Sequence, residues 1–198
     1  MGFYPPEVLL GDARRHGVQT LPPDLNRSLW NWRIEPAPAS RDDVSQGDVS
    51  QGDAGQDETR WALRTGLCLV ADFGEQAWQR LAAARALAPF HDLDDFCRRT
   101  RLPQDAVRSL IRAGACDTLG ERRTLLWRLG ELDYRPDALD LPLPATEADL
   151  PPLPPLEQTV WEYELMGASP TAQIMVHYRP HLRAAGVASG WQVKQMHA

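Results

Sequence analysis

Apolar residues in this chain recur mostly at helical spacing. Over residues 75–87, Ala77, Trp78, Leu81, Ala84 and Leu87 fall one to four positions apart, which gathers them on one face of a helix. The same pattern predicts a helix over 7–16, entered after Pro5-Pro6 and stopped by Gly17. A short helix is expected over 92–99. Another runs over 103–113, starting at Pro103, with Val107, Leu110 and Ile111 as its apolar face and Gly114 as its end. An arginine-rich helix over 121–129 and one over 157–166, stopped by Gly167, complete the clear set, and residues 180–185 add one helical turn or two.

Strand signals are fewer. Residues 18–21 read as extended and lead into the turn Pro22-Pro23-Asp24. Residues 29–34 alternate like a strand with Trp30 and Trp32 on one face, read as core rather than as base-stacking platforms, and 60–64 read as a strand. Between these two strands the pentapeptide Val-Ser-Gln-Gly-Asp occurs twice, at 44–48 and 49–53, in a polar stretch over 36–59 that cannot bury apolar surface. The expectation is a disordered insert joining two paired strands. Residues 134–155 mix Pro, Leu and acids like an extended linker. The expected fold class is mainly α with a small β element (α+β).

Charge changes the picture by its distribution. The 198 residues carry a net charge of −6, yet 60–128 holds 12 arginines against 8 acids, a local +4, leaving 9 basic and 19 acidic residues, or −10, elsewhere. A basic island in an acidic chain suits contact with phosphate, although charge alone favours a solvated helical surface. No stretch approaches the roughly 20 apolar residues that cross a bilayer, and the N-terminus lacks the regions of a signal peptide, so the expected location is the cytoplasm, without a membrane partner. Cys68, Cys97 and Cys116 are widely spaced among apolar neighbours, as expected of reduced thiols. His177 and His181 stand at metal-ligand spacing, but Pro180 between them argues against an uninterrupted helix, so no metal site is expected.

One motif carries chemistry. Helix-hairpin-helix elements follow the pattern apolar, any, Gly, apolar, Gly, then a helix, because a tight turn there leaves backbone N–H groups at a helix N-terminus free to grip a phosphate. Val70-Ala71-Asp72-Phe73-Gly74 fits every fixed place except Asp72, where the pattern wants Gly. A carboxylate there repels phosphate, and a positive φ suits Asp less well than Gly. Taken alone, the motif fits DNA contact and a plain helical turn equally. The expected DNA-backbone-binding set is Val70, Ala71, Phe73, Gly74, Arg80, Arg85, Arg112, Arg122 and Arg123. No nucleophile motif, phosphate loop or dinucleotide fingerprint supports an autonomous enzyme.

Several ordered blocks go beyond the motif. Asp12-Ala13-Arg14-Arg15-His16-Gly17-Val18, Pro22-Pro23-Asp24-Leu25-Asn26-Arg27-Ser28, Ala62-Leu63-Arg64-Thr65-Gly66-Leu67, Leu93-Asp94-Asp95-Phe96-Cys97-Arg98-Arg99 and Leu110-Ile111-Arg112-Ala113-Gly114-Ala115-Cys116-Asp117 resemble the late fingers region of the bacterial C-family DNA polymerase III alpha subunit. Met1-Gly2-Phe3-Tyr4-Pro5-Pro6, Arg122-Arg123-Thr124-Leu125-Leu126-Trp127 and Glu162-Tyr163-Glu164-Leu165-Met166-Gly167 most resemble its error-prone paralogue. The resemblance implies an end of the fingers over 1–60, a helix-hairpin-helix region over 61–130, a Pro-rich linker over 131–155, and a helical lead-in to an oligonucleotide-binding barrel over 156–198. It implies that Met1 was an internal methionine or is a misplaced start, and that the palm carboxylates holding Mg²⁺ precede it. The chain itself is therefore expected to hold no cofactor and to be inactive alone. Asp94 and Asp95 match a structural helix in the family, and adjacent helical residues diverge by about 100°. The expected partner is DNA, with the remaining polymerase domains and the sliding clamp as the further candidates that the resemblance implies; the alternative is a free-standing DNA-binding or scaffold protein derived from such a polymerase.

The clamp expectation rests on Asp140-Leu141-Pro142-Leu143-Pro144, where error-prone relatives carry a peptide resembling Gln-Leu-x-Leu-Phe. Leu141 and Leu143 keep the aliphatic anchors, but Pro144 replaces the aromatic, a loss of roughly 2 kcal/mol or more. A calorimetric titration against a sliding clamp should show undetectable or weak binding by the native segment, recovered when Asp140→Gln and Pro144→Phe are combined. Tight native binding would overturn the linker reading.

Overall fold

The computed structural model describes residues 4–38, 60–132, 134, 150–188, 193 and 195. The repeats at 44–53 and the clamp-like Leu141 and Leu143 lie outside the described residues. Where the apolar spacing is clearest, the helices form as expected. These are α1 (Pro6–Arg15), α2 (Glu75–Leu87), α3 (Leu93–Thr100), α4 (Gln104–Arg112), α5 (Arg122–Glu131) and α6 (Pro155–Met166), followed by α7 (Ile174–Ala184), which is longer than expected. Their ends follow local chemistry. Prolines open α1 and α6, Asp92 caps α3 by accepting from the Asp95 N–H, Glu121 caps α5, and Gly167 ends α6 at φ 69°.

Three short strands, β1 (Gln19–Leu21), β2 (Arg33–Pro36) and β3 (Trp61–Arg64), form one sheet in the order β1-β3-β2. β3 runs parallel to β1 and antiparallel to β2, with Ile34 opposite Leu63 and Glu35 opposite Ala62. The two strands flanking the insert are thus paired. The strand expected over 29–34 forms later, because the Leu29 and Trp30 carbonyls accept from the Leu67 and Cys68 N–H groups instead of joining the ladder (3.0 and 2.9 Å). Within the sheet, Arg64 donates to the buried Glu35 carboxylate from Nε and Nη2 (2.9 and 2.7 Å). That guanidinium holds the Glu35 carboxyl below its ordinary range. A lowered folded pKa means the pair stabilises fully above the unfolded glutamate range and loses its contribution as the pH falls through the folded value.

One hydrophobic core draws on α2, α3, α4 and α5, with Phe96, Leu81, Leu110 and Ile111 fully buried. Leu25 and Met166 join the same cluster, so the core crosses the expected divisions at 60/61 and 155/156. Trp30 packs on this core beside Phe73 and Trp78, with centroids 6.4 Å apart in each pair. Cys97 and Cys116 are buried and Cys68 half-buried, all unpaired, and burial pushes the Cys97 thiol up to about 12.

α7 departs from expectation. It runs through Pro180 as one helix that includes His177 and His181. Proline removes one i to i−4 bond, and α7 buries no residue, so the carbonyl this frees at Val176 sits on an exposed stretch. His177 meets Thr159 of α6, with Nε2 and Oγ1 2.8 Å apart.

Candidate nucleic-acid interface

The hairpin begins in a 3₁₀ turn, Leu67–Leu69, rather than an α-helix. The Val70 N–H donates to the Leu67 carbonyl at 3.1 Å and the Phe73 N–H to the Val70 carbonyl at 3.3 Å, closing two consecutive turns. Val70 and Phe73 are buried and anchor the loop from beneath. Asp72, at the position where the pattern wants Gly, has φ 61°, in the left-handed region. Its carboxylate accepts from Ser109 Oγ of α4 at 3.1 Å. Gly74 then forms the N-cap of α2, and no side chain caps the first-turn N–H groups. Gly74, Glu75 and Gln76 are all exposed, and a Cβ at Gly74 would meet nothing within 4 Å. An anion can therefore approach this helix end, opposed by the carboxylates of Asp72 and Glu75.

The structure divides the arginines nominated from the sequence. Arg80 is exposed on α2 and, among the described residues, donates to the Arg101 carbonyl at 3.3 Å. Arg85 points inward, lies over Trp78 at 5.2 Å, and donates to the carbonyls of Leu25 and Ser28 (2.8 and 2.7 Å). Burial lowers its pKa. Arg122 is buried, with Nε and Nη2 on the two oxygens of Asp117 (2.8 Å each), Nη2 also on Glu162 at 2.9 Å, and Nη1 on the Arg112 carbonyl at 3.0 Å. Arg112 bonds Glu164 at 2.5 Å and lies over Trp161 at 5.1 Å. Arg123 bonds Glu157 at 2.7 Å and the Pro151 carbonyl at 3.1 Å. The local +4 is thus largely consumed by intramolecular pairing. Arg85 and Arg122 serve the fold, while Gly74 and Arg80 remain open on α2.

Ala71 is exposed, but its N–H donates to the Leu165 carbonyl of α6 at 2.9 Å. The sequence reading missed α6 as a participant. The signal was available: α6 holds three glutamates and no basic residue, and it faces an arginine-rich unit. Arg101 was missed as well. It ends α3 with φ 48°, a left-handed conformation shared among the described non-glycine residues only by Asp72.

Asp94 accepts from Arg128 and Asp95 from Arg99, each at 2.8 Å, so neighbouring side chains serve separate arginines. Among the described residues no group of three His, Cys, Asp or Glu is placed to hold a metal ion, and no helix is long and apolar enough to cross a membrane.

A family model described as helix-hairpin-helix motif matches residues 17–126. The chain is 40% identical over 129 residues to the error-prone DNA polymerase of Burkholderia pseudomallei (strain K96243), covering 65% of this chain and 11% of that protein. It is 37% identical over 171 residues to the error-prone DNA polymerase of Azoarcus sp. (strain BH72), 85% of this chain and 15% of that one. Against the Bordetella bronchiseptica enzyme of the same name it is 34% identical over 187 residues, 93% of this chain and 16% of that one. The chain thus spans 11–16% of the length of these relatives.

Proposed function

We propose, on the premise that the chain belongs to the helix-hairpin-helix motif family, that it is the DNA-backbone-binding part of an error-prone DNA polymerase. It holds duplex phosphates without reading sequence, in the cytoplasm, while nucleotide transfer belongs to the polymerase domains it works with. Mg²⁺ and the carboxylates that hold it would lie on those domains, while Asp94 and Asp95 of this chain are paired with arginines.

The observation that carries this reading is the turn from Val70 to Gly74. Two buried apolar anchors, a left-handed residue between them and an uncapped helix N-terminus together present backbone N–H donors to an anion. Such contacts see phosphate and not base edges, so affinity is independent of sequence and falls steeply with salt. With two or three phosphates engaged, log K should fall against log salt with a slope of about −2 to −3.

The test is fluorescence anisotropy with a labelled duplex across a salt titration, comparing wild type with Asp72→Gly. The substitution removes a carboxylate beside the helix end and puts at φ 61° the residue that adopts it most readily. Binding should tighten by roughly three- to tenfold at low salt. Equal affinity for the two proteins at every salt concentration would show that the hairpin does not touch DNA.

A further inference from the structure

We propose that α6 is an acidic strap that occupies the part of the phosphate-binding face formed by Ala71, Arg112 and Arg123, beside the open N-terminus of α2, so that DNA reaches that part only by competing with it. The proposal rests on the DNA-binding reading above and adds its regulation. Four of the nine residues nominated from sequence as backbone contacts are matched one to one by groups on α6. The Leu165 carbonyl takes the Ala71 N–H, Glu164 takes Arg112, Glu162 takes Arg122, and Glu157 takes Arg123.

The spacing on α6 makes this one face. Glu157, Trp161, Glu164 and Leu165 stand at i, i+4, i+7 and i+8, a single helical stripe, and each of the four touches the unit. Glu157 and Glu164 are seven residues apart, about 10 Å along the axis, comparable to the rise of about three nucleotides in one strand. Negative groups therefore stand along α6 at a spacing a phosphate backbone could offer, against a backbone N–H and arginines that would receive it. α6 also lies outside the 17–126 segment matched by the family model.

The strap has a fixed centre and exchangeable edges. Glu162 is fully buried and accepts from Arg122, Gln158, Ser169 and Thr171, which anchors the helix. The two outer pairs are solvent-accessible, with side-chain exposures of 29% and 53% for Arg112 and Glu164, and 26% and 39% for Arg123 and Glu157. Exposed pairs of this kind are individually weak and yield to a competing polyanion.

The test uses the full chain and a fluorescein-labelled 20-base-pair duplex. Glu157→Gln with Glu164→Gln should bind about tenfold more tightly than wild type at low salt, and DNA should raise amide hydrogen exchange in α6 and at Ala71. A control with Asp42→Asn and Asp43→Asn, which removes the same charge between β2 and β3, should change affinity much less. Thermal unfolding checks that the variant is folded; if it is not, Glu164→Gln alone carries the comparison, with an increase of about threefold expected. If wild type binds and loosening the strap adds nothing, or if the control gains as much, the strap is overturned and the DNA-binding reading stands. If no protein binds, the loosened variant included, both fall.

Discussion

Replacing Arg122 with alanine is expected to remove about 3–5 kcal/mol of folding stability, a fifth or more of the roughly 5–15 kcal/mol that a domain typically has. The guanidinium is 4% exposed and satisfies Asp117, the Arg112 carbonyl and Glu162 together. Glu162 is itself 0% exposed, so losing the arginine strands a carboxylate in the interior with only the neutral donors Gln158, Ser169 and Thr171. Lysine should rescue little, because a single ammonium cannot reproduce a fork that spans two carboxylates and a carbonyl. Adding Glu162→Gln to Arg122→Ala should recover part of the loss, giving a coupling of about 1–3 kcal/mol in a double-mutant cycle. Urea denaturation of wild type, the two single variants and the double variant gives the cycle, and Arg122→Lys is measured beside them. A loss below about 1 kcal/mol for Arg122→Ala would reject the buried network, and reduced DNA affinity with unchanged stability would return Arg122 to the phosphate-binding set.

Arg122 also marks where sequence reading ends. The arginine count over 60–128 correctly indicated a basic unit, but the partners of those arginines are set by tertiary packing. Glu162 is 40 residues from Arg122, and Glu164 is 52 from Arg112. No local pattern encodes such pairs, whereas α2 was legible to its terminal residues because spacing, Gly74 and the apolar stripe are all local. The same distinction explains β2. Alternation at 29–34 signalled an extended chain, but the Leu29 and Trp30 carbonyls bond the turn at 67–68, and only Arg33–Pro36 enters the ladder. Pro180 misled for the opposite reason. Its local rule is sound in a buried helix, but α7 buries nothing, so the lost bond is exposed and the helix continues. At the hairpin, local and tertiary information agree: the Gly-requiring position of the motif does adopt a positive φ, although Asp72 fills it.

Gly66→Ala is expected to destabilise the chain by about 3 kcal/mol or more, while Gly74→Ala should leave the fold intact and weaken DNA binding. Neither outcome depends on a left-handed backbone, since the φ values are −77° and −84°. The difference is room. A Cβ on Gly66 would stand 2.5 Å from the Asn31 carbonyl carbon, 2.6 Å from the Trp30 oxygen and 2.8 Å from the Trp32 nitrogen, all backbone atoms that no side-chain rotation can clear. Segment 30–32 would have to retreat. That would break the bonds from Leu67 and Cys68 N–H to the Leu29 and Trp30 carbonyls and pull Trp30 from Phe73 and Trp78. Because Val70 hangs from the Leu67 carbonyl, the hairpin would lose its support from the same change. At Gly74 a methyl meets nothing within 4 Å of the protein, so stability should change by less than about 1 kcal/mol. The open space it would fill is the approach to the uncapped N-terminus of α2, where a phosphate would sit. Chemical denaturation beside anisotropy with labelled duplex separates the two effects. If Gly74→Ala binds DNA as wild type does, the helix end is not the contact; if Gly66→Ala unfolds at the wild-type midpoint, the close crossing at 30–32 does not support the hairpin.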